Sequence, residues 1–285
     1  VNLLYDKLFV FDRVENSVVV ASVTYLFAPL VFLPVSAVTG ASYPGVEVAG
    51  ALAGAAFLFA PAMYLYLLGL RKGDPANVSV VSRSEPFLVM VLAAAFLGEV
   101  LSAVSYLGAG LVLAGVGLVS FHRKEGSIVA ADGAGMVVVS AAVFAVRGVL
   151  LRLIFESTEV TAWTGYLWSR IGILSGFVVL LLLAGPKLSE VWNGLKNPVS
   201  SGYFSLGLRA LIIEGVGIAY TVGIASGPVS IVTTLGATQP VIVTVVAGVL
   251  ASKTGVISAE DISSTPLWLK LLASALVLAG VYLLF

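Results

Sequence analysis

"LGAGLVLAGVGLV" (residues 107–119) and "LASALVLAGVYLL" (residues 272–284) share the string LVLAGV at an offset of 165 residues. Further upstream, "YLYLLGLRKGDPANVSVVSRSEP" (64–86) aligns with "IAYTVGIASGPVSIVTTLGATQP" (218–240) at an offset of 154. That alignment puts Tyr66 on Tyr220, Gly69 on Gly223, Gly73 on Gly227 and Pro86 on Pro240. The offsets differ by the 11 residues of "GVISAEDISST", which lengthen one loop of the second copy. Two ordered matches with the same glycine and proline punctuation read as an internal repeat.

The repeat is made of residues that water would not hold. Hydrophobic residues are 59% of the chain, charged residues 11%, and the mean hydropathy is +1.08. Soluble domains carry about 25% charged residues, so this surface faces lipid rather than water. The net charge is zero, which leaves no basic field for nucleic acid. With no Cys and one His, His122 in a charged loop, no disulfide framework or Cys/His zinc site can be built.

Runs of about 20 apolar residues span a bilayer as helices. They fall at 18–38, 48–70, 76–97, 101–121, 133–155, 163–184, 203–225, 229–251 and 267–285, and "VNLLYDKLFVF" reads as the tail of one more. The expected fold is an all-α integral membrane protein of ten helices, nine complete and a truncated first. They form two five-helix halves: 1–121 is the first repeat, 122–132 the inter-repeat loop and 133–285 the second repeat. Aligning Lys7 with Arg152 leaves roughly a dozen residues of the first helix unaccounted for, given the length a span needs. Five helices per half is an odd number, so the second half enters from the opposite side. The expectation is an inverted repeat with its site between the halves and alternating access by exchange of their conformations.

The segment "SRSEPFLVMVLAAAFLGE" (82–99), followed by a helix carrying "LVLAGVGLV", resembles the EamA-like branch of the drug/metabolite transporter superfamily. The second copy keeps Pro240 but has Lys253 where the first has Glu99. The resemblance covers the whole chain. It implies a secondary transporter, an exporter or exchanger of small polar metabolites such as amino acids, working without a cofactor. The implied partners are a small-molecule substrate and the bilayer, in the plasma membrane, with a homodimer allowed.

Charges inside spans face a partner or a wet cavity. Arg83 and Glu85 are two apart, about 200° around a continuous helix, so they face different neighbours. Pro86 follows them and is expected to free the carbonyl of Ser82. Arg147, Arg170 and Glu214 lie deeper, and Glu214 is placed to pair with Arg147 or Arg170. Arg152 and Arg209 are near helix ends, where snorkelling accounts for them. Tyr25, Tyr66, Trp168, Tyr220 and Gln239 complete a candidate substrate-binding set, with Pro86 and Pro240 as helix breaks. Gln239 aligns with Glu85, each one residue before its proline. The pairs Gly50/Gly54 and Gly223/Gly227 have the spacing of close helix packing.

Loops bearing Arg13, Arg71–Lys72, Arg123–Lys124, Lys187–Lys196 and Lys253 alternate with loops free of Lys and Arg that hold Glu47, Glu99, Glu156 and Glu159. The positive-inside rule puts the basic set in the cytoplasm and both chain ends outside. The resembled family usually has both ends inside, and the two readings conflict. An intramembrane enzyme is the rival class, but every Asp falls at or beyond a span end, there is no H-E-x-x-H, and there is no P-loop. Neither catalytic nor metal-binding residues are assigned. A channel or non-transporting scaffold is the remaining alternative.

Overall fold

The structure, a computed structural model, describes residues 17–73, 75–98, 102–124, 127–130, 132–184, 189, 192, 203–235 and 267–283. Twelve helices of at least seven residues and one hairpin follow in order. They are α1 Ser17–Leu26, α2 Pro29–Thr39, α3 Val46–Phe57, α4 Phe59–Lys72, α5 Pro75–Val81, α6 Ser84–Phe96 and α7 Ala103–Ser120. Then come β1 Phe121–Lys124, β2 Ser127–Ala130, α8 Ala134–Ser157, α9 Ala162–Ala184, α10 Tyr203–Ser226, α11 Val229–Leu235 and α12 Leu267–Leu283. Four stretches are long and apolar enough to cross a membrane: Val46–Lys72, Asn77–Phe96, Ala134–Ser157 and Ala162–Leu183.

Three spans read from the sequence as single helices are each split in two, and a proline explains each split. Pro29, Pro61 and Pro86 lack the N–H that would bond the carbonyl four residues earlier, on Tyr25, Phe57 and Ser82. The helix therefore loosens one turn before each ring, at 27–28, at 58 and at 82–83. At two of the splits a neighbour takes the orphaned carbonyl. Ala28 N–H donates to Tyr25 O at 3.2 Å, and Glu85 N–H donates to Ser82 O at 3.2 Å. The Ser82 carbonyl is thus bonded, not freed as the sequence suggested. The inter-repeat segment, read as a loop, is an antiparallel hairpin pairing Phe121 with Ala130 and Lys124 with Ser127. The ninth expected span is described only over α11, and Gln239, Pro240 and Lys253 lie outside the described residues.

The chain forms two compact units, and each draws on both repeats. One comprises Leu65–Ala145 and the described part of 233–285; the other comprises 17–64 and Val146–Val232.

In the first unit, α7 packs on α12, and these are the helices that carry the two LVLAGV strings. A methyl on Gly115 would lie 2.7 Å from Ala273 O and 2.8 Å from a Val277 methyl. One on Gly280 would lie 2.5 Å from Gly108 O and 2.7 Å from Val112 N. Rising numbers on α7 meet falling numbers on α12, so the helices are antiparallel. At the repeat offset, Gly115 corresponds to Gly280, Val112 to Val277 and Gly108 to Ala273. The two contacts are therefore one contact with its partners exchanged, which is the signature of a local two-fold. In the same unit Gly73 approaches Asp132 O, and Gly69 packs on Gly133, which has φ +78°. The turn after Arg71–Lys72 and the turn after the hairpin therefore share one end of the unit.

In the second unit, α9 is the hub, packed against α1, α2, α3 and α10. Gly172 sits on the backbone of Ala53, and a methyl on Gly176 would come 2.7 Å from Ala60 Cβ and 3.1 Å from Phe57 O. Here the numbers rise together, so α9 runs parallel to α3. The close packing expected of Gly50 and Gly54 is not found among the described residues, where neither has an atom within 4 Å of its Cβ position. Gly172-x-x-x-Gly176 does that work instead. Of the other expected pair, Gly223 touches Val232 at 2.9 Å, whereas Gly227 has nothing within 4 Å.

Candidate functional site

On α9, residues 164, 168, 172 and 176 form one stripe, while 166, 170, 173 and 177 form another on the far side. The first faces α3 and the loop before it. Ser42 N–H donates to Thr164 Oγ1 at 3.1 Å, Trp168 Nε1 donates to Ser42 O at 3.3 Å, and Tyr43 lies 5.6 Å from the Trp168 ring. An open pocket of about 290 Å³ lies here, lined by Ser42, Thr158, Glu159 and Thr164 among others. Trp168, expected to line a central cavity, is thus turned away from the charged residues and ties the 40–45 loop to α9.

The second stripe carries the charge. Arg170 Nε lies 3.1 Å from Glu214 Oε2, with Arg170 4% and Glu214 0% exposed. Tyr166, one turn before Arg170, donates its hydroxyl to the same Oε2 at 2.9 Å. Its ring lies 4.9 Å from the Arg170 guanidinium carbon. The Arg170 Nε–H is not directed along the ion-pair contact, and Glu214 Oε1 accepts no hydrogen bond among the described residues. The guanidinium contact and the tyrosine hydroxyl both fall on one carboxylate oxygen, and the other, also buried, has no hydrogen-bond partner among the described residues. The opposite side of α10 shows why the pair lies inward: Ile212 and Val216 are exposed there. An apolar face turned to lipid leaves the interior as the place for a carboxylate.

Arg147 is the second buried guanidinium, 5% exposed, with the Phe59 and Tyr220 rings each 5.2 Å from its guanidinium carbon. Phe59 stands edge-on to Tyr25 at 5.1 Å, and Tyr25 stacks on Phe177 at 4.4 Å. Tyr25 and Phe59 come from the first repeat, while Arg147, Tyr166, Arg170, Phe177, Glu214 and Tyr220 come from the second. One unit therefore assembles a polar and aromatic cluster from both halves of the sequence. Of the two partners open to Glu214, the structure selects Arg170.

The remaining expected residues are placed elsewhere. Arg83 and Glu85 are in the other unit, with Tyr66. Arg83 occupies the N-cap position of α6, where the proline split interrupts the helix. Its guanidinium donates to Ser82 Oγ at 3.3 Å, and Glu85 and Tyr66 are its electrostatic neighbours. The expectation that Arg83 and Glu85 face different neighbours assumed a continuous helix, and the split removes that premise. Arg152, near the end of α8, pairs with Glu156 at 2.7 Å and donates to Ile224 O at 3.0 Å. Arg209 lies within α10. No group of three or more His, Cys, Asp or Glu able to hold a metal occurs among the described residues.

Fold and site together define a polytopic membrane protein with buried ionic groups. Residues 10–121 match the model of the EamA-like transporter family. The resemblance read from 82–119 agrees with this match, which covers the first part of the chain. A solved crystal structure, described only as that of a protein, is similar over 94% of this chain and 86% of its own. Its TM-score is 0.58 at 20% identity, which is a likeness of fold. No curated protein matches the chain.

Proposed function

We propose that this protein is a secondary transporter of small polar metabolites, amino acids among them, exporting or exchanging them across the plasma membrane. The observation that carries the reading is the Arg170–Glu214–Tyr166 cluster, buried between apolar helices of a chain with an EamA-like segment. A structural ion pair in lipid would satisfy all its oxygens. Here the buried Glu214 Oε1 has no hydrogen-bond partner among the described residues, an acceptor that an ammonium or hydroxyl would satisfy, while the Arg170 guanidinium is the group that would pair with a carboxylate. A zwitterion matches both. Arg147, in its aromatic sandwich of Phe59 and Tyr220, lines the same unit.

Ten helices in two inverted halves are the architecture this reading needs. Two features support it: the exchanged α7–α12 contact, and the parity of helix directions. Helices separated by an odd number of crossings should be antiparallel, as α7 and α12 are. Those separated by an even number should be parallel, as α3 and α9 are. Alternating access then follows from exchanging the conformations of the two repeats.

The test is flux. Purified protein in sealed proteoliposomes, loaded with a mixed set of radiolabelled amino acids, should show saturable efflux accelerated by the same amino acids outside. The Glu214→Ala variant should lose that efflux at equal reconstituted protein. Absence of saturable flux for every amino acid would remove the amino-acid reading. Flux unchanged by Glu214→Ala would remove the site.

A further inference from the structure

The geometry points to Gly217 as a positioning residue that seats Arg170 for its pairing with Glu214. The inference rests on the Arg170–Glu214 pair belonging to the proposed site. Gly217 lies three residues after Glu214 on α10, so the two share a face. A methyl on Gly217 would overlap Arg170 Nη2 and lie 2.7 Å from Cζ and 3.2 Å from Nη1. The guanidinium therefore lies directly over the α10 backbone, in space that only a missing side chain provides. Arg170 is 4% exposed, and the Tyr166 ring also lies over its guanidinium carbon. With both surroundings filled, an added methyl must push the guanidinium off Glu214 Oε2 or part α9 from α10.

Gly215, two residues earlier, separates this role from a general need for glycine on α10. Among the described residues nothing lies within 4 Å of its Cβ position, and the residue between them, Val216, is 63% exposed. The sequence Glu214-x-x-Gly217 is thus a two-part arginine seat, with a carboxylate for the charge and a bare backbone for the plane. Gly217 acts through Arg170, by leaving the room in which that guanidinium lies beside Glu214.

A double-mutant cycle on the full-length protein in detergent tests this without knowledge of the substrate. Gly217→Ala should lower the thermal midpoint by about 5 °C, a size set by the cost of overpacking a buried contact. Gly215→Ala should leave it unchanged or raise it, since alanine is the better helix former. In an Arg170→Gln, Glu214→Gln background, where no guanidinium needs the space, Gly217→Ala should no longer lower the midpoint. An equal loss in both backgrounds, or no loss in the parent, overturns the assignment. Should Gly217→Ala fail to accumulate in membranes, accumulation of the triple variant supports the seat, and failure of both overturns it. Saturable flux with no coupling in the cycle removes the role of Gly217 alone. Intact coupling without flux leaves the seat standing and removes the transporter reading.

Discussion

The two faces of α9 are held by different physics. Toward α3 the central contact is close: Gly172 lies on the Ala53 backbone, and Gly176 meets Phe57 and Ala60. Toward α10 it is polar: one ion pair, one tyrosine hydroxyl and a carboxylate oxygen with no hydrogen-bond partner among the described residues. A backbone-to-backbone seam has one arrangement, because neither side can give. A polar seam is held by side chains instead, and under the proposed function it is where a solute carboxylate would replace Glu214 on Arg170.

The largest expected effect is on the polar side. Glu214→Gln leaves the Arg170 charge buried and uncompensated, which costs about 3–5 kcal/mol in soluble proteins. Thermal unfolding should show the loss, and replacing Arg170 with Gln as well should recover most of it. If the single variant is as stable as the parent, the ion pair is not what orders that seam.

A smaller loss is expected on the glycine side. Gly172→Ala forces a methyl into the Ala53 backbone, and overpacking costs about 1–3 kcal/mol. No second substitution at Ala53 can relieve it, because the obstacle is main chain. A full rescue by Ala53→Gly would show that the contact is made by side chains after all.

Smaller again is the tie between Trp168 and the 40–45 loop. Trp168→Phe removes one hydrogen bond to Ser42 O, worth about 1 kcal/mol. Flux should be retained, because that stripe faces away from the charged cluster. Lost flux at normal stability would move the site to the α3 side of α9. Single cysteines at Ser42 and Thr158 should leave stability unaltered and label from the same side of the membrane, since both line one pocket. Labelling from opposite sides would mean that the span count between them is wrong. The absence of native cysteine makes the background clean.

The deep charges were legible in the sequence because an ionisable residue in an apolar run needs an explanation wherever it lies. That Glu214 would take Arg147 or Arg170 as a partner followed from that cost alone. Tyr166 was missed although it stands four residues before Arg170 on the same helix face, a spacing that periodicity could have revealed. Gly217 could not be read so easily. In a chain with 30 glycines, nothing local separates it from Gly215. The G-x-x-x-G rule chose Gly50/Gly54 over Gly172/Gly176 for the same reason: spacing marks a groove but does not say which groove is filled.

The sequence by itself determined the solvent, the apolar spans, the repeat and the family resemblance. These depend on composition and order along the chain, which a bilayer reads one helix at a time. Tertiary structure decided which copy meets which. Sequence alignment sets LVLAGV of α7 beside LVLAGV of α12 only as text, whereas packing sets them antiparallel with their glycines exchanged. It also divided the chain into two units that each cut across the repeats, and gave Glu214 to Arg170 rather than Arg147. Partner choice depends on distances between helices far apart in sequence, and those are fixed only when side-chain volumes from all of them are fitted together.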